Sequence, residues 1–239
     1  MALNIVGIVC ALASEARHLG PTVRLTEPLG SLPDGTLVAT TGMGSSAAST
    51  GARALVNAGA TALASFGLAG GLDPSLEAGA ILLPNEVQGS DGRIHKCAAA
   101  WRNRLSATTR ARSGKLLTSA KAVGSVEDKA ALFASTGAVA VDMESAAIAE
   151  VAEGYGLPFL AVRVVVDSAA DVLPRAVTTA ADNEGHLQIW RLIGALALAP
   201  SELAPLIRLA RRYRAANRSL AAIARVGSLA PSAFDARQS

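Results

Sequence analysis

Short runs of β-branched and other apolar residues alternate along the chain with Ala-rich stretches that have helical spacing. Apolar runs bounded by glycine or proline are typical of buried strands, and longer stretches with apolar positions three or four residues apart are typical of helices. The pattern predicts strands at 4–10, 36–41, 61–67, 79–83, 138–142 and 159–166. It predicts helices near 12–20, 45–58, 143–154, 186–197 and 201–226.

The alternation of predicted strands and helices indicates the fold class. Such an order favours crossover connections, which give a mostly parallel sheet covered by helices on both faces. We therefore expect an α/β protein in which 1–200 form one domain with a mixed, mostly parallel, twisted sheet flanked by helices. The stretch 84–137 is more polar and less periodic, so it is expected to form loops at the rim. Residues 201–239 are expected to form a C-terminal helical extension and tail.

The composition restricts the classes of function. The 239 residues suffice for a sizeable core, and 51% of them are apolar whereas only 3% are aromatic. So few aromatic side chains argue against a stacking surface for nucleic acid. Cys10 and Cys97 are too few and too far apart to suggest a disulfide framework or a zinc site, which favours a reducing cytoplasm. The sequence pattern predicts neither a secretory leader nor a membrane-spanning helix.

Positive charge is concentrated at the C-terminal end of the chain. Seven arginines against Glu202 and Asp235 give 201–239 a charge of +5, and the net charge of +3 then leaves the rest of the chain at −2. In the helix predicted at 201–226, apolar and arginine side chains fall mainly on opposite faces. The apolar face either packs on the domain or meets lipid. The absence of acidic residues from 203 to 234 favours peripheral contact with an anionic membrane at its inner face.

Two glycine-rich segments are candidate binding elements. The first, 41–47, is a turn between a strand and a helix, whose backbone N–H groups could hold an anion or a ribose hydroxyl. Gly42, Gly44 and the alanine three residues later also fit a dinucleotide fingerprint, but the acid expected about 20 residues on is missing from 61–69. A plain tight turn is the third interpretation. The second segment, 67–72, is either a loop or a place where the backbone approaches a ligand closely.

Acidic residues follow three of the predicted strands. Glu144 follows the fifth strand at the start of a helix, and Asp167 lies at the C-terminal end of the sixth. Ligands of open α/β sheets bind just beyond the C-terminal strand ends, so both carboxylates are candidates for chemistry. Glu15 follows the first strand, although the helix dipole alone also favours an acid in a first helical turn. Asp142 is equally well explained as a helix cap.

The order and spacing of these segments resemble the nucleoside phosphorylase and methylthioadenosine/adenosylhomocysteine nucleosidase superfamily. The resemblance covers about residues 4–197 and is carried by Glu15, the turn of Gly42, Met43 and Gly44, segment 67–72, Val141 to Glu144, and Arg163 to Asp167. It implies a nucleoside phosphorylase-like fold and cleavage of the N-ribosidic bond of an adenine nucleoside, with no cofactor and no metal. The arginine-rich C-terminal extension resembles the hopanoid-associated branch, which removes adenine from adenosylhopane to leave ribosylhopane.

The resemblance implies catalytic roles for two carboxyl groups. Asp167 would be the general acid at purine N7, which requires a carboxyl with a raised pKa. Its neighbours Val164, Val165 and Val166 are expected to supply an apolar setting. Glu15 would take a proton from the attacking water.

Further residues would hold the substrate. By the same resemblance, Glu144 would bind the ribose hydroxyls and Met143 would pack against the sugar. The backbone around Ala122 and Val123 would recognise the edge of the base, and Arg163 would orient the carboxylates from behind. The other residues implied in substrate binding are Gly42, Met43, Gly44 and Gly70.

Two positions depart from the family pattern. Leu68 stands where many relatives carry a small hydroxyl residue, and Val166 stands where many nucleosidases carry serine. Leu68 removes a donor that phosphate would need, and Glu15 nearby would repel a dianion, so water is favoured over phosphate as the nucleophile. Three classes stay open: a purine ribosidase with a phosphorylase variant, an NAD-type oxidoreductase, and a noncatalytic purine-sensing or membrane scaffold module.

The expected partners follow from the same resemblance. They are a small-molecule nucleoside, lipid-linked in the hopanoid case, and a second copy of the chain in a homodimer. The charged fraction of only 17% also leaves little charged surface to keep a monomer soluble. No nucleic acid partner is expected.

Overall fold

The computed structural model describes residues 5–20, 29–172, 203–226 and 229, and it contains both strands and helices along the chain. The strands are β1 (Val6–Cys10), β2 (Leu29–Ser31), β3 (Leu37–Thr40), β4 (Ala62–Gly71), β5 (Ile81–Leu82), β6 (Glu86–Gln88), β7 (Ile94–Lys96), β8 (Lys115–Thr118), β9 (Ala138–Asp142) and β10 (Phe159–Asp167). The helices are α1 (Ala13–Ala16), α2 (Ser45–Asn57), α3 (Ala99–Ala107), α4 (Val126–Thr136), α5 (Ser145–Gly154) and α6 (Leu203–Arg225).

The strands form one mixed sheet in the order β2-β3-β1-β4-β9-β8-β6-β7, with β10 beside β4 and β5 beside β10. Strand β1 runs parallel to β3 and β4, β10 runs parallel to β4, and β8 runs parallel to β6 and β9. The remaining pairings are antiparallel. The central strands β1, β4 and β10 are largely apolar and buried on both faces, as expected of strands covered on both sides. The predicted fold class is confirmed.

Helices cover both faces of the sheet. Small side chains of α2 and α5, including Ala52 and Ala149, let these helices pack closely against one face. On the other face, Leu220 and Ile223 of α6 join Trp101 of α3 in a second buried cluster. The predicted C-terminal helix therefore exists and contributes to the core. Within the described part of the chain, no helix has both the length and the apolar character that a membrane span needs.

The expectation of rim loops at 84–137 is wrong. This segment contributes β6, β7, α3, β8 and α4. Each element is short and buries only a few side chains, such as Trp101 and Leu105 of α3, so the local pattern is weak. Pairing of β8 with both β6 and β9 supplies the missing stabilisation, and that pairing is invisible in a single segment.

Three other predicted elements also differ from the structure or fall outside it. The first helix covers only Ala13–Ala16 of the predicted 12–20. Strand β4 runs through Gly71 beyond the predicted end at 67, because β10 and β9 both pair with its glycines. The helix predicted at 186–197 lies outside the described residues, and the boundary between 1–200 and 201–239 stays a prediction.

Candidate active site

The C-terminal ends of β1, β4, β9 and β10 meet around one cavity of about 200 Å³. Asp167 at the end of β10 lies opposite Gly70 of β4, and the ends of β4 and β9 overlap through the pair Gly70 and Val141. Four short connections therefore deliver side chains to one place. The cavity lining includes most of the site residues expected from the sequence, namely Glu15, Met43, Gly70, Ala122, Val123, Met143, Glu144 and Asp167.

Glu15 reaches the cavity from α1, directly after β1. Its Oε2 accepts a hydrogen bond from the backbone N–H of Leu12 at 2.9 Å, and its Oε1 accepts one from the N–H of Leu68 at 2.9 Å. The side chain is buried, and burial raises the pKa of the Glu15 carboxyl while Arg163 acts to lower it. The helix dipole alone therefore does not account for Glu15, since its carboxylate links α1 to β4 and lines the cavity.

Glu144 occupies the N-terminal cap position of α5 and points back toward the β3–α2 turn. Its Oε1 accepts a hydrogen bond from the backbone N–H of Gly44 at 2.8 Å. Burial, followed by the charge of Asp142, raises the pKa of the Glu144 carboxyl to about 7, and Arg163 opposes this rise. The adjacent Met143 lines the cavity. A carboxyl with this pKa can change charge near neutral pH.

The glycine turn contributes one lining side chain, that of Met43. Gly42 and Gly44 have φ angles of 83° and 97°, the left-handed region that favours glycine. The N–H of Gly42 donates to the carbonyl of Ala11 at 3.0 Å, and the N–H of Gly44 donates to Glu144. The N–H groups of both glycines are therefore engaged within the protein, and the anion-binding and dinucleotide interpretations of the turn stay predictions. Gly42 is not among the described residues that line the cavity.

Arg163 lies beneath the cavity, in the middle of β10. Its Nε donates to Asp142 Oδ2 at 2.8 Å, and its Nη2 donates to the hydroxyls of Ser65 at 2.6 Å and Ser145 at 3.0 Å. Burial tends to lower the pKa of Arg163, but Asp142, Glu144 and Glu15 outweigh it and the pKa is raised. The guanidinium is therefore a fixed positive charge behind the carboxylates of the site.

Asp142 supports the same region as part of this buried network. Besides Arg163, its Oδ1 accepts a hydrogen bond from the Thr118 hydroxyl at 2.7 Å, and its Oδ2 accepts one from the N–H of Ser145 at 3.2 Å. The last contact satisfies a free N–H group of the first turn of α5, as expected of a capping residue. Asp142 thus fixes the start of α5, and with it the position of Glu144.

Asp167 forms a buried ion pair with Lys129 of α4. Burial raises the pKa of the Asp167 carboxyl, and the Lys129 ammonium counteracts this rise. The setting of Asp167 therefore includes a buried ammonium besides the expected apolar neighbours. Val164 and Val165 are buried, and of the three valines only Val166 lines the cavity.

Sequence reasoning missed Lys129 altogether. It lies among polar residues in the segment expected to form loops, 38 residues before Asp167. A lone lysine beside Glu127 and Asp128 is typical of a solvated helix surface. No signal in the single sequence would have identified this residue as buried.

The loop after β8 forms another part of the cavity wall. Ala122 and Val123 lie in this wall, and Leu68 of β4 lies in the lining as well. Within the described residues, no cluster of three or more histidine, cysteine, aspartate or glutamate side chains is arranged to hold a metal ion. Cys10 and Cys97 are both buried, unpaired thiols.

Comparison with known proteins agrees with this architecture. A family model described as the phosphorylase superfamily matches residues 7–189. None of the curated proteins matches the chain.

Several solved structures share the fold at low sequence identity. A mutant 5′-methylthioadenosine/S-adenosylhomocysteine nucleosidase from Helicobacter pylori, with 5′-methylthioadenosine in the active site, is 17% identical with a TM-score of 0.64, covering 82% of this chain and 100% of its own. The Colwellia psychrerythraea enzyme of the same name, in complex with adenine, is 22% identical with a TM-score of 0.63. The match covers 80% of this chain and 94% of the Colwellia chain. Futalosine hydrolase of Helicobacter pylori is 16% identical with a TM-score of 0.62. The match covers 86% of this chain and 97% of the hydrolase chain.

Proposed function

The chain belongs to the phosphorylase superfamily, and from that membership and the site geometry we propose that it hydrolyses the N-ribosidic bond of an adenine nucleoside. The observation that carries the proposal is the convergence of three buried carboxyl groups, Glu15, Glu144 and Asp167, on one cavity. Cleavage of an N-ribosidic bond develops positive charge on the sugar and negative charge on the base. Carboxylates near the sugar and a proton donor near the base match that charge distribution.

Asp167 is the proposed general acid. It would donate a proton to purine N7, so that adenine leaves as a neutral base while the Asp167 carboxylate forms. Burial favours the protonated carboxyl before the reaction, and Lys129 stabilises the carboxylate afterwards. Both influences suit a group that must give up a proton during the reaction.

Glu144 and Met143 are the proposed ribose contacts. A Glu144 carboxylate accepts hydrogen bonds from ribose hydroxyls, and these bonds strengthen as the ring becomes cationic. The N–H of Gly44 already fixes one carboxylate oxygen at 2.8 Å, so the side chain is held ready before substrate arrives. The loop with Ala122 and Val123, which also lines the cavity, is the proposed contact for the edge of the base.

Glu15 is the proposed base that takes a proton from the attacking water. Two backbone N–H groups hold its carboxylate, and burial raises the pKa of Glu15, which makes the carboxylate a stronger base. The water oxygen then forms the new bond to the anomeric carbon as the bond to the base breaks. The products are the free sugar and adenine.

The hydrogen bonding of the site supports water as the nucleophile. A phosphorylase needs several donors that converge on phosphate. Here the N–H groups of Gly44 and Leu68 are both engaged by carboxylates, from Glu144 and Glu15. A phosphate dianion in this place would meet two acidic side chains instead of free donors. The phosphorylase is the second candidate on family membership, and a noncatalytic purine-binding module is the third.

For the natural substrate, we propose adenosylhopane, which would be converted into ribosylhopane and adenine. The proposal rests on the resemblance of the basic C-terminal extension to the hopanoid-associated branch and on the apolar side chains of Leu12, Met43 and Leu68 around the cavity. The nucleosidases that share the fold bind 5′-methylthioadenosine or adenine, and both are adenine compounds.

The test is release of the free base, adenine from adenosylhopane and 5′-methylthioadenosine and hypoxanthine from inosine, each measured with and without phosphate. We expect adenine and free sugar at a rate that phosphate does not change, with adenosylhopane as the best substrate. The Asp167→Asn variant is the control that assigns the activity to this site. A ribose 1-phosphate product would establish the phosphorylase instead, and adenine binding without turnover would establish the binding module.

Peripheral contact with the inner face of an anionic membrane is a separate proposal for 201–226. In the C-terminal half of α6, Ala216, Leu220 and Ile223 pack in the core and cannot also meet lipid. The contact would therefore depend on the exposed arginines, among them Arg211, Arg214 and Arg218. Each basic residue near an anionic surface contributes about 1 kcal/mol, which gives a weak and salt-sensitive attachment.

Flotation with anionic liposomes at low and high salt tests this contact. Glutamine at Arg211, Arg214 and Arg218 should abolish flotation without loss of the fold. A chain ending at Pro200 is a poor control, because removing α6 would uncover the buried cluster around Leu220. Failure of the full-length protein to bind liposomes would leave α6 as a packing element only.

The homodimer is also a proposal, which follows from family resemblance, and the cytoplasmic location is a proposal that follows from the cysteine usage. Light scattering at micromolar concentration should give twice the chain mass of 24.1 kDa. A single species at the mass of one chain would contradict the dimer.

A further inference from the structure

Lys129 is a fully buried lysine in the middle of the protein. It lies on α4, and its Nζ donates to three oxygens of one short turn, Asp167 Oδ2, Ser168 O at 2.9 Å and Asp171 O at 2.9 Å. A buried ammonium is costly unless it is paired and hydrogen-bonded. These three partners all belong to the turn that begins at the proposed general acid.

The turn has its own internal support. The N–H and hydroxyl of Ser168 donate to Asp171 Oδ2 at 2.9 and 2.7 Å, and the N–H of Asp171 donates back to the Ser168 carbonyl at 3.0 Å. Arg212 of α6 pairs with the Asp171 carboxylate. These bonds hold the turn together without Lys129. The main contribution of Lys129 is therefore its contact with the Asp167 carboxylate.

The ion pair also distinguishes the two oxygens of Asp167. Lys129 engages Oδ2, which leaves Oδ1 for a ligand. The carboxylate lies against Gly70 of the cavity lining, where a Cβ atom would stand 3.5 Å from Oδ1 and 3.6 Å from Oδ2. Asp167 lines the cavity and the fully buried Lys129 does not, so the ion pair occupies one oxygen of Asp167 from outside the cavity.

We propose that Lys129 is a positioning residue for Asp167, which holds Oδ2, presents Oδ1 to the purine and sets the upper pH limit of nucleoside cleavage. The inference rests on the proposed function, in which Asp167 is the general acid. An adjacent ammonium favours the carboxylate, so Asp167 loses its proton at a lower pH than burial alone would dictate. The same ammonium stabilises the carboxylate that forms when the proton reaches the base.

Other charges around Asp167 do not replace this effect. Asp171 raises the pKa of Asp167 and Arg212 lowers it, but both act less strongly than Lys129. Arg212 and Asp171 also pair with each other, which reduces their net influence. Glu15 and Glu144 line the same cavity, and their charges would oppose ionisation of Asp167.

The experiment compares the wild type with Lys129→Gln and Lys129→Met. We expect the basic limb of the pH profile of kcat/KM to move upward by about one pH unit or more in both variants, because the ammonium is lost. We expect kcat to fall more than KM changes, because Lys129 does not line the cavity. Lys115→Gln is the matched control, since Lys115 pairs with Glu86 at 3.9 Å and lies outside the cavity lining.

A carbon-13 titration of the Asp167 carboxyl, assigned with Asp167→Asn, gives a readout that needs no turnover. The midpoint of the Asp167 titration should lie at higher pH in Lys129→Gln than in the wild type. If the titration moves upward in the variant but the wild type cleaves no nucleoside, the proposed function is refuted while the link between Lys129 and Asp167 is supported. An unchanged titration would overturn the inference whatever the activity.

Two further outcomes would also contradict it. Lys129→Gln should cost little additional activity in an Asp167→Asn background, so an equal loss in both backgrounds would show that Lys129 does not act through Asp167. A Lys129→Gln protein that fails to fold would identify Lys129 as a residue required for the fold, and not for tuning the general acid.

Discussion

Replacement of Glu144 by glutamine should make the protein more stable at alkaline pH while making it a poorer enzyme. Glu144 is buried, and burial followed by the Asp142 charge raises the pKa of its carboxyl from 4.5 to about 7. Glutamine has the same shape, and its amide oxygen can still accept the hydrogen bond from the N–H of Gly44. The substitution therefore removes mainly the ionisable group.

The magnitude follows from the linkage between protonation and folding. Because the pKa of Glu144 is higher in the folded than in the unfolded state, the folded state binds more protons between pH 4.5 and about pH 7. The contribution of Glu144 to stability is complete below pH 4.5 and is lost as the pH rises through about 7. Since each pKa unit corresponds to about 1.36 kcal/mol, the loss amounts to about 3 kcal/mol.

The assay is urea unfolding of the wild type and Glu144→Gln between pH 5 and pH 8. The stability of the variant relative to the wild type should increase with pH by about 2–3 kcal/mol over this range. Glu150→Gln is the matched control, because Glu150 lies on the same helix with its side chain 64% exposed. Its difference from the wild type should stay within about 0.5 kcal/mol at every pH.

A relative stability of Glu144→Gln that does not change between pH 5 and pH 8 would refute this reasoning. It would mean that Glu144 keeps an ordinary pKa in the folded protein. The kinetic counterpart is an acid limb of kcat/KM near pH 7 in the wild type, where the carboxylate that binds ribose forms. Glu144→Gln should lose this limb together with most of its activity.

The remaining predictions concern the other two carboxyl groups and the glycine beside Glu15. Asp167→Asn should lower kcat by about 10²- to 10⁴-fold with an unchanged circular dichroism spectrum, and a variant that keeps half its activity would exclude Asp167 as the general acid. Glu15→Ala should stop hydrolysis, and added phosphate should not restore it. Gly67→Ala should destabilise by about 1–3 kcal/mol in urea unfolding, because its Cβ would stand 2.6 Å from Glu15 Oε1. Gly154→Ala, with no atom within 4 Å of the added Cβ, should be neutral or slightly stabilising.

The sequence by itself determined the α/β fold class and most of the acidic site. Apolar runs at 138–142 and 159–166 correspond to β9 and β10. Glu144 and Asp167 follow from these local patterns as candidates, because ligands of open α/β sheets bind beyond the C-terminal strand ends. The position of Glu15 after β1 has the same origin. The meeting of Glu144 and Asp167 depends on the antiparallel overlap of β4 and β9 at Gly70 and Val141.

Only the tertiary structure decided which charges meet inside the protein. Lys129 lies on a short helix with a weak pattern, and its burial depends on the docking of α4 near the end of β10, 38 residues away in the chain. The N–H groups of Gly44 and Leu68 are engaged by carboxylates that lie 100 and 53 residues away. Local patterns record the face that a segment buries, but the partner of a buried charge depends on long-range packing, which no single segment encodes.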